Sequence, residues 1–248
     1  MAASSTSSAA APEVADIVSI ERTADLALAR VLRLASPMLP VGAFSYSQGL
    51  ESAIEQGWVR DEASAQRWIG DVLECNVGRF EAVVWCRLYR AWQAHSDADV
   101  SAWNDAFLAA RESAEFRAET VQMGYSLRKL LCEVGEFDEA TLAPLRAVQE
   151  PAFPTAFSFA CVAWQIPERQ ALLGYLWAWV ENQVSAAMKA IPLGQMSGQR
   201  LLAALSARLG ALVEAAIVMK DEDITNCAPG LAIASCRHEI QYSRLFRS

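Results

Sequence analysis

Phe116–Val134 reads FRAETVQMGYSLRKLLCEV, and Phe116, Thr120, Met123, Leu127, Leu130 and Val134 follow one another at intervals of four, three, four, three and four. Each helical residue turns by about 100°, so that spacing draws one stripe along one face of an α-helix. Gly135 closes the segment. Working outward, Leu26, Ala29, Leu32 and Ala35 predict a first helix that stops before Pro37, because a residue preceding proline resists the α conformation. A loop, PMLPVGAFSYSQG, follows, then a short helix with Leu50 and Ile54 that ends at Gly57. Asp61 suits the N-cap of a long striped stretch through Trp68, Val72 and Cys75 to Trp92, which Gly70 and Gly78 are placed to divide.

Toward the end of the chain, Pro167 suits the first turn of a helix through Leu172, Leu176 and Trp179 to Lys189, and Pro192 ends it. The last long helix is expected from about Ser197 to Lys220. Beyond it an irregular stretch leads into RHEIQYSRLFRS. Strand-like alternation and Asn-Gly or Asp-Gly hairpin signals are missing, and there is no internal repeat. The expected fold is therefore all-α, a single-domain bundle of about eight to ten helices. Residues 21–236 form the helical domain, residues 1–20 a disordered tail beginning MAASSTSSAAA, and residues 237–248 a docking tail.

The 248 residues are 53% hydrophobic and 20% charged, a mixture that folds and buries a core. The net charge of −8 argues against a nucleic-acid partner, which requires a basic surplus for phosphate contacts. The uncharged runs Leu34–Leu50 and Pro151–Pro167 are broken by Pro, Gly or Ser, so no membrane span is expected. Six cysteines at 75, 86, 132, 161, 227 and 236 stand singly, without the spacing of a disulfide framework, which points to reduced thiols and a cytoplasmic protein.

Most chemical motifs fail on inspection. No lysine follows a glycine, as a phosphate-binding P-loop needs. Ser126 to Lys129 fits Ser-x-x-Lys but lies mid-helix without its companion motifs. Cys227, Cys236 and His238 make the one cluster of soft ligands, at a spacing that matches no standard metal site. The tryptophans, Trp164, Trp177 and Trp179 among them, fall at core spacing. Asp221–Asp223 reads as an acidic surface turn. No catalytic residue, metal ligand or cofactor is assigned.

Two stretches ask for more than a turn. Pro40–Gly49 mixes apolar and hydroxyl residues with two glycines, the composition of a contact surface or of close backbone approach, with helix capping by Ser45 or Ser47 as the simpler reading. The final twelve residues set Arg237, Arg244 and Arg247 against Glu239 alone in an otherwise acidic chain. Tyr242 and Phe246 stand four apart and would share a helix face, an arrangement that suits docking, unless the tail folds back on its own acidic surface.

SPMLPVGAFSYSQGLE (Ser36 to Glu51), RESAEFRAETVQMGYSL (Arg111 to Leu127), ENQVSAAMKAIPLGQMSGQRLL (Glu181 to Leu202) and RHEIQYSRLFRS (Arg237 to Ser248) resemble, in that order, the signature segments of the UreF family of urease accessory proteins. The resemblance spans residues 26 to 248. It implies an all-helical homodimer that assembles with a β-rich scaffold of the UreD/UreH type and the GTPase UreG, and that acts on apo-urease to deliver nickel. Carried over by motif, it implies partner contacts at Ser45, Tyr46, Glu51, Gln195 and Gln199, and in the tail at Arg237, His238, Glu239, Tyr242, Arg244, Phe246 and Arg247. Arg111 and Glu115, four apart, are expected to pair with each other. The other functions weighed are stimulation of the partner GTPase by an arginine, and independent nickel carriage through Cys227, Cys236 and His238.

Overall fold

The computed structural model describes residues 14–248, with side chains from residue 23 onward; residues 1–13 of the expected tail lie outside the described residues. Helix α1 (Val14–Leu34) is followed by a 3-10 turn (Ala43–Ser45), α2 (Leu50–Glu55), α3 (Glu62–Val72), α4 (Ala82–Gln93), α5 (Asp97–Ala109) and α6 (Ala114–Glu133). Then come α7 (Glu139–Ala147), α8 (Phe153–Ala163), α9 (Glu168–Ala190), α10 (Gln195–Val218), a 3-10 turn (Asp221–Asp223) and α11 (Pro229–His238). No strand occurs among the described residues.

Asp61 caps α3 as expected, accepting from the Ser64 amide at 2.8 Å, and the Ser64 hydroxyl accepts from the Asp61 amide in return. Gly70 and Gly78 do not divide the rod that follows. A nine-residue π-helical stretch, Leu73–Glu81, carries it from α3 into α4 without a break. With that rod taken as one, ten helices form among the described residues.

The α6 stripe holds at Phe116, Thr120, Met123 and Leu127, which are buried. It then rotates: Leu131 is buried, Leu130 half-buried and Val134 exposed. Halfway along, a Cβ on Gly124 would lie 1.9 Å from the Pro151 carbonyl oxygen, so glycine lets the start of α8 cross α6 at backbone contact. α8 thereby reaches α4 and α9, where Trp85, Phe157 and Tyr175 meet. The Trp85 and Phe157 ring centres are 6.5 Å apart, and Phe157 meets Tyr175 edge-on at 5.2 Å.

Trp164 and Trp179 join the core, whereas Trp177 is 37% exposed, because α9 turns that position outward. α10 packs mainly on α9. By length and composition it is apolar enough to cross a membrane. Its charged side chains instead pair with neighbouring helices: Arg200 with Glu62, Arg208 with Glu74 and Glu214 with Arg169. Helix α11 forms where the sequence alone predicts an irregular stretch.

Candidate functional site at the closing segment

The Pro40–Gly49 loop ends with two consecutive left-handed residues, Gln48 at φ +54° and Gly49 at φ +75°. Gly49 meets this with no steric cost. A Cβ there would also sit 3.3 Å from the Ser235 amide nitrogen, so its absence lets α2 lie close against α11. Gln48 carries a side chain in a strained conformation and is held by two bonds. Its amide donates to Glu119 Oε1 at 2.6 Å, and its carbonyl accepts from Trp179 Nε1 at 2.6 Å.

After α11 the chain does not continue as a helix. Residues 239–248 run irregularly back across the loop. The Arg247 amide donates to the Ser45 carbonyl at 2.8 Å, and the Ser248 carbonyl accepts from the Ser47 amide at 2.8 Å and the Ser47 hydroxyl at 2.6 Å. Ser47 also accepts from the Glu51 amide at 3.2 Å, so it caps the first turn of α2 while gripping the closing segment. Glu51, 7% exposed, receives the amides of Leu245 at 2.6 Å and Phe246 at 3.0 Å.

His238 is wholly buried between two carboxylates. Its Nε2 lies 3.1 Å from Glu51 Oε2 and its Nδ1 2.6 Å from Glu115 Oε2. Arg244 bonds the other oxygen of Glu115. Glu239 reaches the start of α6, accepting from the Ala114 amide at 2.8 Å, where a carboxylate also meets the positive end of the helix dipole.

Below this clasp lies a cavity of about 230 Å³ whose polar wall includes Gln48, Glu81, Arg111, Glu119, Tyr175 and Trp179. Arg111 donates to Glu81 at 2.7 Å and stacks over Phe107 at 4.1 Å. It does not pair with Glu115, because α6 starts only at Ala114 and Glu115 faces His238 and Arg244 instead. Glu119 holds Gln48 on one oxygen and the Ser248 hydroxyl, at 2.7 Å, on the other. Burial pushes the Glu119 carboxyl up to about 7, with Glu81 adding to the rise; the bonds from Gln48 and Ser248 and the charge of Arg111 oppose it. Burial, with Glu119 adding, also raises the Tyr46 phenol, and Arg247 opposes that shift.

The structure thus brings together Ser45, Tyr46 and Glu51 with His238, Glu239, Arg244, Phe246 and Arg247. Arg237 lies at the edge, bonded to Gln56 and stacked over Trp58 at 5.8 Å. Gln195 and Gln199 are exposed at the start of α10, away from these contacts. Tyr242 and Phe246 do not share a helix face. Tyr242 is fully exposed and Phe246 is 7% exposed, because residues 239–248 run irregularly rather than as a helix. Both ring nitrogens of His238 face carboxylates while Cys227 and Cys236 are exposed, and no group of three ligating side chains suited to a metal occurs among the described residues.

The sequence does not disclose Gln48, Glu115 and Glu119 as members of the clasp, and it offers Ser47 only as a helix cap, a bond that Ser47 makes beside its grip on Ser248. A signal was present: Glu115 and Glu119 stand four apart on one helix face, a repulsive pair unless donors arrive from elsewhere in the chain.

Fold and site together define an all-helical protein whose buried polar groups fasten one segment of the chain to another. The UreF family model matches residues 59–206. The urease accessory protein UreF of Azoarcus sp. (strain BH72) is 59% identical over 225 residues, 90% of this chain and 96% of that protein. Its counterpart in Methylobacillus flagellatus is 54% identical over 89% of this chain and 97% of that protein. A bifunctional urease accessory protein UreEF from Bordetella bronchiseptica is 47% identical over 89% of this chain and 52% of its own length. The chain belongs to the UreF family of urease accessory proteins.

Proposed function

We propose that the chain works as a non-catalytic, homodimeric adaptor in the cytoplasm that assembles with a UreD/UreH-type scaffold and a UreG-type GTPase on apo-urease, so that nickel is delivered as cargo. Family membership supports the urease context. The observation that carries the adaptor reading is the form of the closing segment. Its backbone is anchored through Glu51, Ser45 and Ser47, while Ile240, Tyr242 and Leu245 are 85%, 105% and 72% exposed. Exposed apolar and aromatic tips on a fastened backbone suit a protein partner, since little ordering entropy remains to be lost on binding. In this reading Ser45, Tyr46, Glu51, Arg237, His238, Glu239, Arg244, Phe246 and Arg247 shape the surface, and Tyr242 touches the partner. Gln195 and Gln199 would serve a second contact on α10.

Coupling to GTP hydrolysis follows by linkage. An adaptor that binds one nucleotide state of the GTPase more tightly than another shifts which assembly is populated as nucleotide turns over. Co-expression with the scaffold, the GTPase and apo-urease tests the proposal. Removal of Arg237 to Ser248 is expected to leave a helical protein that no longer co-purifies with the scaffold, and nickel in urease is expected to fall with it. Undiminished complex and nickel content would overturn the reading. GTP turnover with and without the chain, and with each closing arginine replaced, checks the coupling.

A further inference from the structure

His238 stands at the one point where α2, α6, α11 and the closing segment meet. The charged groups around it are Glu51 from α2, Glu115 from α6, Arg244 of the closing segment on the far oxygen of Glu115, and Glu239 of the closing segment, whose carboxylate takes the first amide of α6. Arg237, the preceding residue, is turned toward Gln56. A neutral imidazole has one N–H and one lone pair, so it can donate to only one of two carboxylates and sets its lone pair against the other. With both carboxyl groups ionised, only the doubly protonated ring bonds both.

Glu51 also carries the amides of Leu245 and Phe246, so what happens at the ring reaches the backbone of the closing segment through a single carboxylate. From this geometry we propose that a proton on His238 is the catch that holds residues 239–248 against the body of the protein, and that losing it releases them. The charged ring balances two buried carboxylates; the neutral ring leaves Glu51 and Glu115 facing each other with Arg244 as the only remaining cation. Release of the segment and loss of one proton are then a single coupled event, favoured as pH rises. The inference concerns the isolated chain and stands apart from the choice of partner, so a failure here leaves the adaptor reading intact, and the reverse.

The chain holds only two histidines, and His95 is exposed at a helix end, which makes it an internal reference. Ring-carbon NMR of the full chain reports the charge of His238, and amide exchange of residues 245–247, corrected for the intrinsic rate, reports the segment, both from about pH 5 to about pH 9. The expected result is a charged ring wherever the segment is protected, with protection dropping about tenfold or more once the ring is neutral. His238→Gln is expected to show low protection already at the lowest pH, where the wild-type segment is protected. A neutral ring beside a fully protected segment overturns the proposal, as does wild-type protection in His238→Gln. Should that variant fail to fold, the wild-type profiles decide by themselves.

Discussion

The aromatic core around Trp85 and the clasp around Glu51 each join parts of the chain far apart in sequence, by different physics. In the core, α4, α8 and α9 meet through Trp85, Phe157 and Tyr175, where burial of apolar surface is non-directional and tolerant of rotation. In the clasp, α2, α6, α11 and residues 239–248 meet through directed bonds, and both carboxylate oxygens of Glu51, of Glu115 and of Glu119 have a named donor or cation. The first arrangement sets the stability of the whole molecule. The second sets where one segment lies, and it does so through bonds of fixed direction.

Phe157→Ala probes the core side of that contrast. It is expected to cost about 4 kcal/mol of global stability in denaturant titration, with little dependence on pH. A loss below about 1 kcal/mol would mean that the core closes around the gap and is less tightly packed than its geometry indicates.

Glu119 lies where core and clasp touch. Its folded-state value of about 7 stands above the usual 4.5, so its contribution to stability is fully present below the unfolded value and is lost as pH rises through about 7. That loss amounts to about 3 kcal/mol. Glu119→Gln is expected to flatten the fall in stability between about pH 4 and pH 8 by a comparable amount, measured as the difference from wild type at each pH. Identical profiles would place the proton elsewhere.

Within the clasp, Glu51→Gln is expected to weaken the hold on the Leu245 and Phe246 amides by about 2 kcal/mol, seen as faster exchange there while the α8 amides are unchanged. Equal acceleration in α8 would show that clasp and core unfold as one unit. On the periphery, Arg169→Ala breaks the exposed bond to Glu214 and is expected to shift stability by less than about 0.5 kcal/mol, and less still in high salt.

The two regions also differ in how far the sequence disclosed them. The all-helical class, the cap at Asp61 and the buried run Phe116, Thr120, Met123 and Leu127 follow from local spacing, because a helix face and a cap are properties of neighbouring residues. Ser45, Tyr46, Glu51 and the closing residues were singled out by motif, and the structure brings them into contact. Their mode of contact was not legible. Tyr242 and Phe246 at an interval of four suggested a helix, yet the backbone amides of Leu245 and Phe246 bond Glu51, about two hundred residues away, in place of a carbonyl one turn back. Helix α11 was missed because its packing against α2, through Gly49, and not a strong periodic stripe, holds it in place.

Sequence by itself determined the class of fold, the limits of the helices that carry a clear stripe, cap or proline, and the family, because periodicity, caps and prolines act over a few residues and the signature segments are contiguous. Only the tertiary structure decided that the long rod passes through a π-helical stretch, that Arg111 pairs with Glu81, and that His238 lies between Glu51 and Glu115. The last two depend on which groups arrive from distant parts of the chain to satisfy a buried charge, and a buried polar group takes the partner that the packing brings to it.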